Sequence, residues 1–199
     1  MTTTSERLPV VSPASNMPGP RQGQWKYNDY AALPDDGQHY EIVNGVLYMT
    51  PSPSIAHQEA AFEIASYLRA HVKSAGLGRV FMSPVDVELA ADVVVQPDVI
   101  VLLNKSLGKI TTTRIIGAPE LVVEVASPST SGYDRREKQD AYARAGVLEY
   151  WVANTDARTV EVLVLEAGVY HSLAVFQGTA ILPSQVLPGF ATHVEQFFA

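Results

Sequence analysis

Two acidic residues sit inside stretches that are otherwise composed for burial, and no other feature restricts the fold of this chain so strongly. Asp98 stands within Val93-Val94-Val95-Gln96-Pro97-Asp98-Val99-Ile100-Val101, and Glu124 within Leu121-Val122-Val123-Glu124-Val125-Ala126. Near-continuous aliphatic runs of this length read as central strands covered on both faces. An unpaired ionised carboxylate in such a place costs several kcal/mol, comparable to the whole stability margin of a domain. Each acid therefore needs a cation, a proton or hydrogen-bond donors. Two of them in neighbouring core strands point to one shared cation. The plainer alternative is that Asp98 and Glu124 pair with arginines or cap nearby backbone groups.

The rest of the chain supplies the elements around these two strands. Residues 1–24 are rich in Thr, Ser, Pro and Gly and read as a flexible tail, with a single domain expected over 25–199. Trp25 to Leu33 suggests a short helix stopped at Pro34. Asn44-Gly45 lies between two apolar runs within Tyr40 to Met49, the pattern of a hairpin whose turn needs positive φ at both central residues. Ser54 to Ser74 carries Ala61, Ile64, Ala65, Leu68 and Val72 at helical spacing and is closed by Gly76. Val85, Val87 and Leu89 alternate with Asp86 and Glu88, as in a strand with one wet face. Val93 to Leu103 is expected as one central strand, and Asn104 to Gly117 as a polar loop. After the Glu124 strand, Ser127-Pro128-Ser129-Thr130 is a break. Asp134 and Glu137 then form a D-x-x-E capping signature for a helix that ends at Gly146. Leu148–Ala153, Thr159–Leu165 and Val169–Phe176 read as an antiparallel meander, followed by Leu187-Pro188-Gly189-Phe190 and a short amphipathic end at Val194–Phe198.

Composition decides which cation the two acids could share. The chain has no cysteine, so thiolate sites and disulfides are excluded and any metal must sit on oxygen or imidazole. Mg²⁺ or Mn²⁺ is the natural candidate for carboxylate ligands. No run approaches the roughly 18 apolar residues of a membrane span, and no secretory signal is visible, so the expected compartment is the cytoplasm. The net charge of −7 argues against loose coating of nucleic acid, which is driven by phosphate neutralisation. It leaves room for an enzyme that meets nucleic acid through a small site.

Three more residues belong to the candidate site. Lys138, Tyr142 and Ala145 share one stripe of the helix after Glu124, which carries Lys138 inward; a lysine snorkelling at the helix border is the alternative. His57 lies one turn before Ala61 on the inward stripe of its helix, where it is either a site residue or a satisfied core histidine. Glu41, in the first hairpin strand, is either a site residue or a plain exposed strand position.

Pro97-Asp98 and Glu124-Val125-Ala126 on consecutive core strands, followed by a helix, resemble the PD-(D/E)XK nuclease signature. More closely, the chain resembles the Uma2 family (DUF820), restriction-endonuclease-like proteins. The matching pieces are Tyr40-Glu41-Ile42-Val43-Asn44-Gly45, His57, Gln96-Pro97-Asp98-Val99, Glu124 to Thr130, Asp134 with Lys138 and Tyr142, and Leu187-Pro188-Gly189-Phe190, in the family's order. Ala126 stands where the broad signature has lysine; in Uma2-like sequences the lysine comes from the following helix, and Lys138 fits that place.

The resemblance implies an α/β (mixed α+β) fold with a restriction-endonuclease-like core. A central mixed sheet flanked by helices is expected, with an N-terminal hairpin and the C-terminal meander. It implies Mg²⁺-dependent hydrolysis of DNA phosphodiester bonds. Asp98, Glu124 and the backbone carbonyl of Val125 would hold the ion, Lys138 would orient water or stabilise charge, and Glu41 and His57 would form the outer edge. A catalytically silent nuclease-fold binding or regulatory protein, and a hydrolase of another phosphodiester, are the alternatives. The apolar meander from Leu148 to Phe176 suggests a homodimer.

Overall fold

The computed structural model of the chain describes residues 11–126 and 133–198, the side chains of 133–135 excepted. The described strands form two six-stranded mixed sheets. The first contains β1 (Ser12–Pro13), β2 (His39–Val43), β3 (Val46–Thr50), β5 (Asp86–Ala90), β6 (Val93–Val95) and β8 (Arg114–Ile116), in the order β1-β3-β2-β6-β5-β8. The second contains β4 (Gly78–Met82), β7 (Val99–Leu103), β9 (Leu121–Ala126), β10 (Glu149–Asn154), β11 (Thr159–Glu166) and β12 (Val169–Gln177), in the order β12-β11-β10-β9-β7-β4. Pairings are antiparallel except β5 with β8 and β9 with β10. The latter pair is joined by the helix α3 (Tyr133–Ala145), because parallel neighbours need a long crossover. The fold class implied by the resemblance is the one observed, with the expected sheet divided in two.

The division corrects one expectation. Val93 to Leu103 is two strands, β6 and β7, and they belong to different sheets. Gln96-Pro97-Asp98 is the break between them. Pro97 has no N–H to give a ladder, so a continuous central strand cannot run through it. The supposed polar loop after Leu103 also contains a strand, β8, beyond a 3₁₀ turn at Asn104–Lys109.

The second sheet is covered on both faces. On one, Val99, Val101, Leu121, Val123 and Trp151 pack against Ala61, Ile64, Leu68 and Val72 of the helix α2 (Ile55–Ser74). On the other, Ile100, Leu102, Val122 and Tyr150 meet Val43, Val87 and Val95 of the first sheet together with Ala141 and Tyr142 of α3. Ser54 caps α2 by accepting the N–H of His57 at 3.2 Å, which sets where the helix begins. The hairpin turn between β2 and β3 has φ of 53° at Asn44 and 72° at Gly45, as its sequence requires.

The short helix expected over Trp25–Leu33 is confined to α1 (Tyr27–Tyr30), and Trp25 is buried with Ile42, Leu47 and Val94. The tail expected over 1–24 is packed from residue 11 onward, through β1 beside β3 and through the Gln22 side chain, which accepts the Leu47 N–H at 2.8 Å. Residues 1–10, the Ser127–Thr130 break and the side chain of Asp134 lie outside the described residues.

Candidate active site

Where the two sheets part at Gln96-Pro97-Asp98, five ionisable side chains from five segments meet. Asp98 precedes β7 directly, and Glu124 lies on the neighbouring β9, beside the pairing of Val99 with Val123. The Val125 N–H donates to Asp98 Oδ2 at 2.7 Å, so the first acid is tied to the strand that carries the second. His57, in the first turn of α2, has its Nε2 2.9 Å from Asp98 Oδ1. Its position one turn before Ala61 brings it to the sheet, as the helical spacing predicts.

Glu124 shares the even-numbered face of β9 with Val122, turned toward α3 and the first sheet. Lys138 Nζ donates to Glu124 Oε1 at 3.1 Å and lies 2.8 Å from Glu41 Oε2. Tyr142, one turn further along α3, donates its hydroxyl to Glu124 Oε1 at 2.5 Å. The stripe containing Lys138 and Tyr142 thus delivers both to one carboxylate. Glu41 on β2 is buried, and its Oε1 accepts the Gln96 N–H at 2.6 Å. The alternatives of a snorkelling Lys138 and an exposed Glu41 do not hold.

All five side chains singled out from the sequence are therefore brought together, in two linked groups. One is Glu41–Lys138–Glu124; the other is His57–Asp98, joined to the first through the backbone of Val125. Two partners escaped the sequence reading of the site. Tyr142 shared the stripe of Lys138 but looked like core packing. Gln96 was visible only as part of Gln-Pro-Asp; besides its N–H to Glu41, its amide donates to Asp86 at 2.9 Å and to Tyr30 at 3.1 Å.

The electrostatics follow from burial and crowding. Burial pushes the Glu124 carboxyl up to about 7; the charges of Asp98 and Glu41 add to the rise, while Lys138 and the Tyr142 hydroxyl oppose it. Burial pulls the His57 imidazole down, but its hydrogen bond to Asp98 and the charges of Asp98 and Glu124 outweigh burial and the repulsion from Lys138. Its acid is raised overall. Tyr142 is held well above its ordinary value by burial and by Glu124.

Two other buried acids show what a structural carboxylate looks like here. Glu120 accepts from the Leu103 N–H at 2.9 Å and the Ser106 hydroxyl at 2.6 Å. Glu149 accepts from the Trp151 indole at 2.6 Å and the N–H groups of Gln185 and Val186 at 2.8 and 3.1 Å. Both are surrounded by donors. Asp98, Glu124 and Glu41 also have donors, but they are gathered in one cluster, where Glu124 and Glu41 share a single lysine and the acids outnumber the cations.

That excess of hard, acidic oxygen fits a small divalent cation of the Mg²⁺ or Mn²⁺ kind. Among the described residues no three His, Asp or Glu side chains stand close enough to form a complete cage. Mg²⁺ does not require one, since it is commonly held by one or two carboxylates with water and substrate oxygens completing the shell. Asp98 and Glu124 would be that pair.

The chain has counterparts among known families and solved structures. Residues 27–195 match the Uma2 family, described as "Putative restriction endonuclease". No curated protein matches the sequence. Among solved structures, the chain is similar to a "putative nuclease belonging to DUF820" from Anabaena variabilis, with a TM-score of 0.73 and 20% identity over 87% of this chain and 97% of that one.

Proposed function

This chain belongs to the Uma2 family, and we propose that it is a metal-dependent nuclease that hydrolyses DNA phosphodiester bonds at the Asp98–Glu124–Lys138 cluster. The observation that carries the reading is the reach of Lys138. The strand-borne lysine of the broader signature is Ala126 here, and the hydrolytic reading needs a cation from α3 instead; Lys138 Nζ lies 3.1 Å from Glu124.

Asp98 and Glu124, with the Val125 carbonyl, would hold Mg²⁺ or Mn²⁺, which when bound polarises a phosphate oxygen and acidifies water. The chain's own residues have separable tasks. Lys138 holds a fixed positive charge beside the carboxylates and would set it against the negative charge that develops on the phosphate. Tyr142 keeps Glu124 in place by occupying the same oxygen. Asp98 orients the His57 ring and strengthens its hold on a proton, which suits His57 to proton transfer at the edge of the site. Glu41, anchored by the Gln96 N–H, fixes Lys138 from the opposite side and would act as a further ligand.

The net charge of −7 favours a second reading, a nuclease fold that binds a partner without turnover. Cleavage of plasmid and single-stranded DNA, with and without Mg²⁺ or Mn²⁺, separates the two. Metal-dependent cutting that disappears in Glu124→Ala supports the nuclease. A wild-type protein that binds the metal and cuts neither DNA overturns it and leaves the binding module or another phosphodiester. A homodimer built on the apolar meander and a cytoplasmic location complete the proposal; among the described residues no helix is long and apolar enough to cross a membrane.

A further inference from the structure

The chain has 14 Lys and Arg residues against 21 Asp and Glu, and three of the 14 line one pocket. The pocket, of about 280 Å³, lies between the second half of α2 and β4, with Arg69, Lys73 and Arg79 around Val72 and Val80. All three cations are exposed. Among the described residues none of them has a carboxylate within ion-pair distance, whereas Lys105, Arg114 and Lys138 are each held by one or two. Single reasons exist for two of them. Lys73 in the last turn of α2 meets the negative end of the helix dipole, and Arg79 guards an edge strand against pairing. Neither reason accounts for Arg69 and Lys73 standing one turn apart over the pocket, with Arg79 bordering it from the edge strand, in an acidic protein.

The pocket shares its two walls with the candidate active site. α2 carries His57 in its first turn, and Arg69 follows 12 residues later by number, about 18 Å along the helix. β4 ends at Met82, paired with Val99 next to Asp98, and Arg79 stands opposite Leu102, about 13 Å along β7 from Asp98. A nucleic-acid strand carries one phosphate per roughly 3.4 Å of helix axis, so these separations correspond to about four or five nucleotides.

We infer that the α2–β4 pocket is a phosphate subsite that holds the sugar–phosphate backbone of the substrate about four or five nucleotides from the bond that reacts. The inference rests on the nuclease reading above. It also answers the charge objection to that reading: an acidic protein can hold a polyanion if its cations are gathered where the backbone passes.

The test is equilibrium binding of labelled DNA by fluorescence anisotropy in chelator, where no cleavage occurs. Wild type is compared with Arg69→Ala/Lys73→Ala and with Arg21→Ala, an exposed control. Removing two phosphate contacts should lower the slope of log affinity against log salt by about 1.4 on single strands and about 1.8 on duplex. Between 50 and 200 mM salt the variant would then lose roughly seven- to twelvefold less affinity than wild type. The difference should appear on oligonucleotides of about 12 residues and vanish on those of about three, too short to span both sites. Arg21→Ala should behave as wild type. An unchanged slope in the double variant overturns the subsite while leaving the nuclease reading intact. Competition by inorganic phosphate at the pocket, with no dependence on oligonucleotide length, assigns it to a free phosphate compound and overturns the backbone assignment. Wild type that binds no DNA of any length removes the nuclease reading and the subsite together.

Discussion

Lys138 and Tyr142 reach one oxygen of Glu124 from the same face of α3, yet their removal has different consequences. Lys138→Ala leaves Glu41 and Glu124 facing each other with no cation between them. It should destabilise the metal-free protein by about 3 kcal/mol, measured by urea unfolding, and lower metal-dependent cleavage by about 10²–10³-fold. Tyr142→Phe keeps the ring and its packing and removes only the hydroxyl, at a cost of about 1 kcal/mol. The Glu124 carboxyl also gives stability a pH dependence. Its acid lies near 7 in the folded chain against an ordinary 4.5, so the protonated form is favoured on folding. The stability it contributes is complete below the ordinary carboxyl range and is lost as pH rises through about 7. His57, also raised, loses its contribution in the same direction. Urea unfolding in chelator should show wild type weakening over this interval and Glu124→Gln weakening less, since the variant loses the Glu124 part and the share of the His57 part that comes from the Glu124 charge. At this scale the sequence is most readable where a residue conflicts with its surroundings. Asp98 and Glu124 stand out because an acid in an apolar strand must be explained. Tyr142 and Gln96 do not, because a tyrosine on a core stripe and a glutamine before proline have ordinary structural uses.

Local chemistry made some elements clear from sequence alone. The Asn44-Gly45 turn is one, because few dipeptides accept positive φ twice. Gly45→Ala should cost about 1–3 kcal/mol, seen as a lowered melting temperature. The new Cβ would sit 2.5 Å from the Gly23 carbonyl oxygen, in a residue at φ of 72°. α2 was equally clear, since Ser54, the apolar spacing and Gly76 specify its ends and its buried face together. β8 was not, because three residues carry too little pattern to separate a strand from a loop. The run from Val93 to Leu103 misled because its composition is uniform while its backbone is not. Apolar side chains say that both halves are buried, and only Pro97 says that they cannot share one ladder.

The stacking of two sheets is a property of the whole molecule, and no local pattern records which strand joins which sheet. Assembly beyond one chain is open to the same kind of test. β12 closes the second sheet with nine residues that include no Lys, Arg, Asp, Glu or Pro, and Val169, Leu173 and Val175 are exposed along it. Such an edge lacks the usual protection against strand addition. Light scattering should therefore find a dimer, and Leu173→Lys with Val175→Lys should return it to a monomer while circular dichroism stays unchanged. The parting of the sheets at Gln96-Pro97-Asp98 has one more consequence. Glu41 belongs to one sheet and Glu124 to the other, while the lysine between them arrives on a helix made after both. During synthesis the ribosome releases these groups one after another, and Glu41, Lys138 and Glu124 cannot all meet until the two sheets close on each other. The site is therefore absent from a half-made chain and is completed only in the last step of folding.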